Sequence, residues 1–154
     1  MRELRGRVLA PGTAAGSALV LSEPLSLWGG LDPATGRVID AHHPQLGAEA
    51  AGRILVMPGG RGSSSSSSVL AEAVRLGTAP LAIVLGEEDL ILAIGAAVAS
   101  ELYGRDVPVL QLDREDIAWI RDSSLVAIER DGILRARSDG DNRTLYHGVN
   151  AGTL

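Results

Sequence analysis

Cysteine is absent from the sequence. With it go disulfides, a thiolate nucleophile, a zinc–thiolate site and any iron–sulfur cluster held by this chain alone. Phenylalanine is absent too, and there are only 2 Trp and 2 Tyr, so the core has to be assembled from Val, Ile, Leu and Ala. That composition suits a buried sheet flanked by small-residue helices. Lysine is missing as well: all 14 basic side chains are arginine, set against 19 acids for a net charge of −5. No basic run breaks that balance, which excludes the electrostatic footprint of a nucleic-acid binder. The longest apolar stretch, Leu90–Ala99, is about half of what a bilayer crossing needs. The opening Met1-Arg2-Glu3-Leu4-Arg5 leads into a short apolar stretch broken by Pro11 and Gly12, unlike a signal peptide. The reading is a soluble cytoplasmic protein with neither nucleic acid nor membrane as partner.

The 154 residues are 45% hydrophobic, enough for one ordinary domain with a real core. Leu4–Ala10 and Ser17–Leu21 read as short strands joined by a turn at Pro11-Gly12. A long irregular stretch from Ser22 to about Ala51 follows, strand-like only over Arg37–Asp40; loops of that length in a compact domain are usually functional. Arg53–Met57 is a continuous apolar strand, then a Gly/Ser loop, then an amphipathic helix over Ser65–Leu76 with Val69, Leu70, Ala73 and Val74 on one face. Gly77 is placed to cap it. Leu81–Leu85 is a second buried strand, Asp89–Tyr103 a small-residue helix ended by Gly104, and Val107–Leu112 a third strand. That alternation predicts parallel pairing with right-handed crossovers. Asp113–Arg121 reads as a short helix, and Leu125–Arg130 with Ile133–Arg137 as a hairpin about Asp131-Gly132. The expectation is one α/β domain over residues 1–137, with a mixed, partly parallel sheet and flanking helices. Residues 138–154 form a polar, glycine-containing tail of disordered composition.

The loop Pro58-Gly59-Gly60-Arg61-Gly62-Ser63-Ser64 carries the chemistry. Its glycines allow close backbone approach to a ligand, and the following helix start offers unpaired N–H groups and partial positive charge to an anion. Serine hydroxyls add donors, and Arg61 can grip a carboxylate or phosphate at two points. No Gly-Lys-Ser/Thr follows, and the glycine spacing is not that of a dinucleotide fingerprint. The alternative is structural: the serines cap a helix and the glycines turn the chain. A serine is a base only if its alkoxide is stabilised by positive charge and backbone donors.

Several segments in order resemble the small subunit, or swivelling domain, of the aconitase X family. They are Leu25–Gly36 with Val38-Ile39-Asp40 and His42-His43-Pro44, then Gly52–Ser64, then Ala79–Val84, the likeness running from about Leu4 to Leu112. The resemblance implies a swivelling β/β/α fold and a hydro-lyase (dehydratase) whose site is shared with a large subunit. It implies no metal and no cofactor on this chain alone, with iron or an iron–sulfur cluster on the large aconitase X subunit. It also implies a small anionic substrate and a catalytic serine base at Ser63, with Gly60, Arg61, Gly62 and Ser64 binding substrate. The serine run leaves register open between Ser63 and Ser64. Where aconitases carry Arg-Glu after the two serines, Ser65-Ser66 stand here, so no arginine occupies that place. The likeness points first to cis-3-hydroxy-L-proline as substrate, with mevalonate 5-phosphate as the alternative. A second kind of reading is a non-catalytic swivelling domain that binds a small anion or serves as a regulatory partner.

Other residues have two readings each. His42 and His43 either touch substrate or form a turn with one ring packed and one solvated. Trp28-Gly29-Gly30 either closes over the site or meets the large subunit, or else pins the long loop as an aromatic plug. Glu87-Glu88-Asp89 are either acid–base carboxylates or first-turn acids of the next helix. Gly95-Ala96-Ala97 reads as a close-packing face.

Overall fold

Gly6 decides how the sheet closes. In the computed structural model, which describes residues 1–137, the single strand expected over Leu4–Ala10 is broken there into β1 (Arg2–Arg5) and β2 (Arg7–Ala10). A β-carbon at Gly6 would lie 2.5 Å from Leu110 Cγ and 2.9 Å from the Gln111 carbonyl oxygen, so the bend admits no larger residue. The remaining strands are β3 (Ala14–Val20), β4 (Leu31–Asp32), β5 (Arg37–Val38), β6 (Ile54–Met57), β7 (Ala82–Leu85), β8 (Val109–Gln111), β9 (Leu125–Ile128) and β10 (Ile133–Ala136). The main sheet has 8 strands in the order β1-β10-β9-β3-β6-β7-β8-β2. Its two edge strands are consecutive in sequence, so the chain itself nearly closes the sheet into a barrel.

The centre of the sheet is parallel. β3 runs beside β6 with Leu19 opposite Leu55, β6 beside β7 with Leu55 opposite Ile83, and β7 beside β8 with Ile83 opposite Val109. Along β6 the side chains alternate. Leu55 and Met57 enter a core shared with Leu70, Val74, Ile83 and Leu85, while Ile54 and Val56 enter a second core with Leu4, Val84, Leu110 and Val126. Both faces are covered, which is why the run Ile54–Met57 is apolar throughout.

The helices are α1 (Leu27–Gly30), α2 (Ser66–Leu76), α3 (Leu90–Tyr103) and α4 (Arg114–Ile117). α2 and α3 are the crossovers of β6-α2-β7-α3-β8, closed by Gly77 and Gly104 at φ 77° and 63°, as their sequence signals require. They touch through Gly95, where a β-carbon would stand 2.9 Å from Ser67 Cα; the small-residue face is a packing face. α4 covers only Arg114–Ile117 of the longer helix expected to Arg121. Other boundaries move by one to three residues. β3 begins at Ala14 and ends at Val20, β7 begins at Ala82, and β8 spans only Val109–Gln111. The hairpin strands end at Ile128 and Ala136, with Gly132 in the turn at φ 95°.

The stretch 22–51 is ordered. Leu25, Leu27, Leu31, Val38 and Ala50 feed the helix-side core, and β4 pairs with β5. Asp32 organises the turn between them, its carboxylate accepting from the Ala34 N–H at 2.9 Å and the Thr35 hydroxyl at 3.2 Å. The expected tail, 138–154, lies outside the described residues. Among the described residues no helix is long and apolar enough to cross a membrane.

Candidate active-site half at the Gly/Ser loop

The carboxyl ends of the parallel strands deliver the polar side chains to one end of the sheet, where ligands of open α/β sheets bind. β3 leads to Glu23, β6 to the Gly/Ser loop and β7 to Glu87-Glu88-Asp89. Gly59 and Gly60 lie beneath two of these acids. A β-carbon on Gly59 would fall 2.0 Å from Glu87 Oε1, and one on Gly60 2.3 Å from Asp89 Oδ2.

Beyond them the backbone is turned outward. Gly62 has φ 77° and Ser63 has φ 66°. A side-chain-bearing residue in this left-handed region costs about 1–2 kcal/mol, and such strain gathers at functional sites. Every backbone N–H from Gly59 to Ser65 is without an acceptor among the described residues, and so are the hydroxyls of Ser63, Ser64 and Ser65. These donors stand at the amino end of α2, whose dipole adds positive potential. The result is an open, donor-rich loop, a candidate cradle for an anion, with Ser63 and Ser64 both exposed.

The capping alternative fails. Ser65 occupies the cap position of α2 and makes no side-chain cap bond. Ser66 does the structural work instead. It is 3% exposed; its hydroxyl donates to the Gly62 carbonyl at 3.2 Å and accepts from the Trp28 N–H at 3.2 Å. The Ser26 hydroxyl reaches the same Gly62 carbonyl at 3.3 Å. Two serines therefore pin the residue that precedes Ser63. Composition cannot single out Ser66 within a run of six serines. The signal that could have done so is its helical spacing to Val69, Leu70 and Ala73, which places it on the buried face.

Arg61 is exposed and shares its charge with Glu23, their groups 4.0 Å apart. Glu23 is held in turn by His43. The Gln45 N–H donates to His43 Nδ1 at 3.0 Å, so Nε2 carries the proton and donates to the Glu23 carbonyl at 3.1 Å. His43 is buried and His42 exposed: one ring packed and one solvated, with both His43 nitrogens occupied. Trp28 is 60% exposed, which overturns its reading as a plug; the leucines at 25, 27 and 31 fill that place. Asp89 is the N-cap of α3, accepting from the Leu92 N–H at 3.0 Å, and Glu88 pairs with Arg7 at 3.1 Å. Neither lies in the first turn of α3 as expected: Asp89 caps the helix and Glu88 stands before it. Glu87, one of the three acids weighed from the sequence, lies against Gly59; Glu23, beside Arg61, is the site neighbour that sequence reasoning did not single out.

Among the described residues no group of three His, Asp or Glu could hold a metal ion, and the chain has no cysteine to offer one. Among the described residues the loop offers hydroxyl, N–H and guanidinium groups, which do not fit a metal centre. A concavity of about 250 Å³ beside Thr13, Gly52, Gly77 and Arg105 lies at the opposite ends of the strands. At the loop itself Arg61, Gly62, Ser63 and Ser64 are exposed.

Comparison with known proteins bears on the family and the fold. A family model described as the aconitase X swivel domain matches residues 3–136. The cis-3-hydroxy-L-proline dehydratase of Pseudomonas aeruginosa is 52% identical over 103 residues, 67% of this chain and 18% of that protein. The phosphomevalonate dehydratase small subunit of Methanothermobacter thermautotrophicus is 38% identical over 130 residues, 84% of this chain and 95% of that one. This chain therefore spans about a fifth of the first relative and nearly all of the second. The crystal structure of Thermococcus kodakaraensis aconitase X in its holo-form superposes with a TM-score of 0.79 at 33% identity, covering 90% of this chain and all of that one. The mixed, partly parallel sheet with flanking helices is the fold expected, and the chain belongs to the aconitase X swivel-domain family.

Proposed function

We propose that this chain is the small half of an aconitase-like hydro-lyase and supplies the base side of a site shared with a large subunit. The observation that carries this is the pair Gly62-Ser63, both in left-handed conformation. It presents the Ser63 hydroxyl among backbone donors with no acceptor among the described residues. In this reading Ser63 takes the proton from the substrate carbon as hydroxide leaves the neighbouring carbon, the net change being loss of water. Its alkoxide is stabilised by the N–H groups of the loop and the amino end of α2. Ser64 is the alternative base. It stands beside Ser63 without the strained backbone, and that difference favours Ser63.

Gly60, Gly62 and Ser64 bind substrate oxygens through their N–H and hydroxyl donors. Arg61 leaves Glu23 to grip a substrate carboxylate, a modest exchange because exposed pairs hold weakly. Iron or an iron–sulfur cluster belongs to the large subunit, where it would polarise the leaving hydroxyl; no step assigned to this chain runs through it.

The preferred substrate is cis-3-hydroxy-L-proline, supported by the 52% identity to a dehydratase of that name. Mevalonate 5-phosphate is the second reading, supported by the match along 95% of a separate small subunit. Co-purification with the large aconitase X subunit, followed by dehydration assays on both compounds, tests the proposal. Turnover by the complex and none by either part alone is expected. Turnover by this chain alone, or none by the complex on either compound, overturns it.

A further inference from the structure

α3 carries apolar side chains on both faces. Inward it packs Leu92, Ala93, Ala96 and Ala99. Outward, Leu90, Ile94, Val98 and Leu102 follow at four-residue spacing and are 57%, 58%, 40% and 65% exposed. At helical rise this stripe is about 18 Å long. No charged residue stands between Asp89 and Glu101. The neighbouring α2 is built the ordinary way, with Val69, Leu70, Ala73 and Val74 buried and Glu72 paired to Arg75 at 2.6 Å on its outer side. A continuous apolar stripe on a water-facing helix marks a surface that another protein covers.

Its position says which protein. The stripe begins at Leu90, directly after Asp89, whose carboxylate lies against Gly60 of the cradle. Its first turn therefore borders the loop that holds Ser63, and that loop is exposed from Arg61 to Ser64, its N–H groups without an acceptor among the described residues. A body that closes over Ser63 on this side meets Leu90 and Ile94 as it does so. We infer that the outward face of α3 is the docking surface for the large aconitase X subunit, so that one contact buries the stripe and walls the cradle. This rests on the reading that the chain works with such a subunit. With no charge from Leu90 to Ser100 and only Glu101 beside the far end, the contact is mainly apolar and should depend little on ionic strength.

The test is binding of the large subunit to Ile94→Glu and Val98→Glu variants by titration calorimetry or sedimentation. Both positions face solvent in the free chain, so folding should be unchanged by circular dichroism. Each variant should bind about 30-fold or more weakly, the size of a central interface loss, and its turnover should recover when subunit concentration is raised. Leu76→Glu, at a comparably exposed apolar residue of α2 (45% exposed), should bind as the unaltered chain does. Wild-type affinity in both α3 variants overturns the inference. So does a self-associated chain that Ile94→Glu makes monomeric while large-subunit binding is kept, since the stripe would then serve a second copy. If the α3 variants bind normally and Ser63→Ala still abolishes turnover, only the docking surface falls. If the unaltered chain binds no large subunit, the functional reading falls with it.

Discussion

Ser66→Ala removes one oxygen from a buried position, and the structure sets the size of the effect. The hydroxyl makes two close bonds, to Gly62 O and from Trp28 N–H, both at 3.2 Å, and a longer one with the Ser26 hydroxyl at 3.4 Å. After the substitution the Gly62 carbonyl keeps the Ser26 hydroxyl at 3.3 Å, so only the Trp28 N–H loses its acceptor. A part-buried donor left unpaired costs about 1–3 kcal/mol, offset by about 0.5 kcal/mol of better helix propensity for alanine. The expected net loss is about 1–2 kcal/mol, a drop in Tm of about 3–6 °C for a domain of this size. Gly62 also loses one of its two pins, and a shift of the Ser63 hydroxyl by about an ångström costs about 10²-fold in rate. Thermal unfolding of the chain and kcat of the assembled complex measure the two effects. Ser68→Ala is the internal control: same residue type, exposed, and expected within about 0.5 kcal/mol of the unaltered chain. If Ser66→Ala matches Ser68→Ala in both Tm and kcat, Ser66 does not hold the loop and the reasoning is wrong.

Other consequences are equally specific. Ser63→Gly should leave stability unchanged or raise it by up to about 1 kcal/mol, relief of the left-handed strain being set against glycine's entropy, while turnover disappears. Ser123→Gly, at the other non-glycine residue with positive φ among the described residues (63°), should show the same stability gain with full turnover; equal activities for the two would refute the placement of Ser63. Gly60→Ala forces Asp89 off the α3 N-terminus and should cost about 1 kcal/mol by denaturant titration. Gly59→Ala meets only the movable Glu87 side chain and should cost less; the reverse order would contradict the described packing. Gly95→Ala sets a methyl against the Ser67 backbone, and spreading α2 from α3 should cost about 1–3 kcal/mol; no change in Tm would count against that contact.

Much of the fold was legible because each element announced itself locally. The apolar run Ile54–Met57 could only be a strand covered on both faces, and Gly77, Gly104 and Gly132 marked ends that the structure keeps. What was not legible depends on long-range contact. The break at Gly6 is set by Leu110 and Gln111, about a hundred residues away, and nothing around Gly6 announces it. The order hidden in residues 22–51 rests on scattered leucines that follow no single period, and on an Asp32 turn. The site divides the same way. The glycines and the helix start identified the cradle, but six identical serines gave no local means of telling the pin at Ser66 from the exposed hydroxyls at Ser63 and Ser64. Only burial and φ separate them.

Turnover of the assembled complex with Ser63→Ala and, separately, Ser64→Ala tests the assignment of the base most directly. The Ser63→Ala complex should assemble normally and lose at least about 10³-fold in kcat, since Ser64 lacks the left-handed backbone that presents the Ser63 hydroxyl. Ser64→Ala should keep kcat within about tenfold and show its effect in KM, as the loss of a binding donor would. Near-normal turnover from an intact Ser63→Ala complex would contradict the assignment.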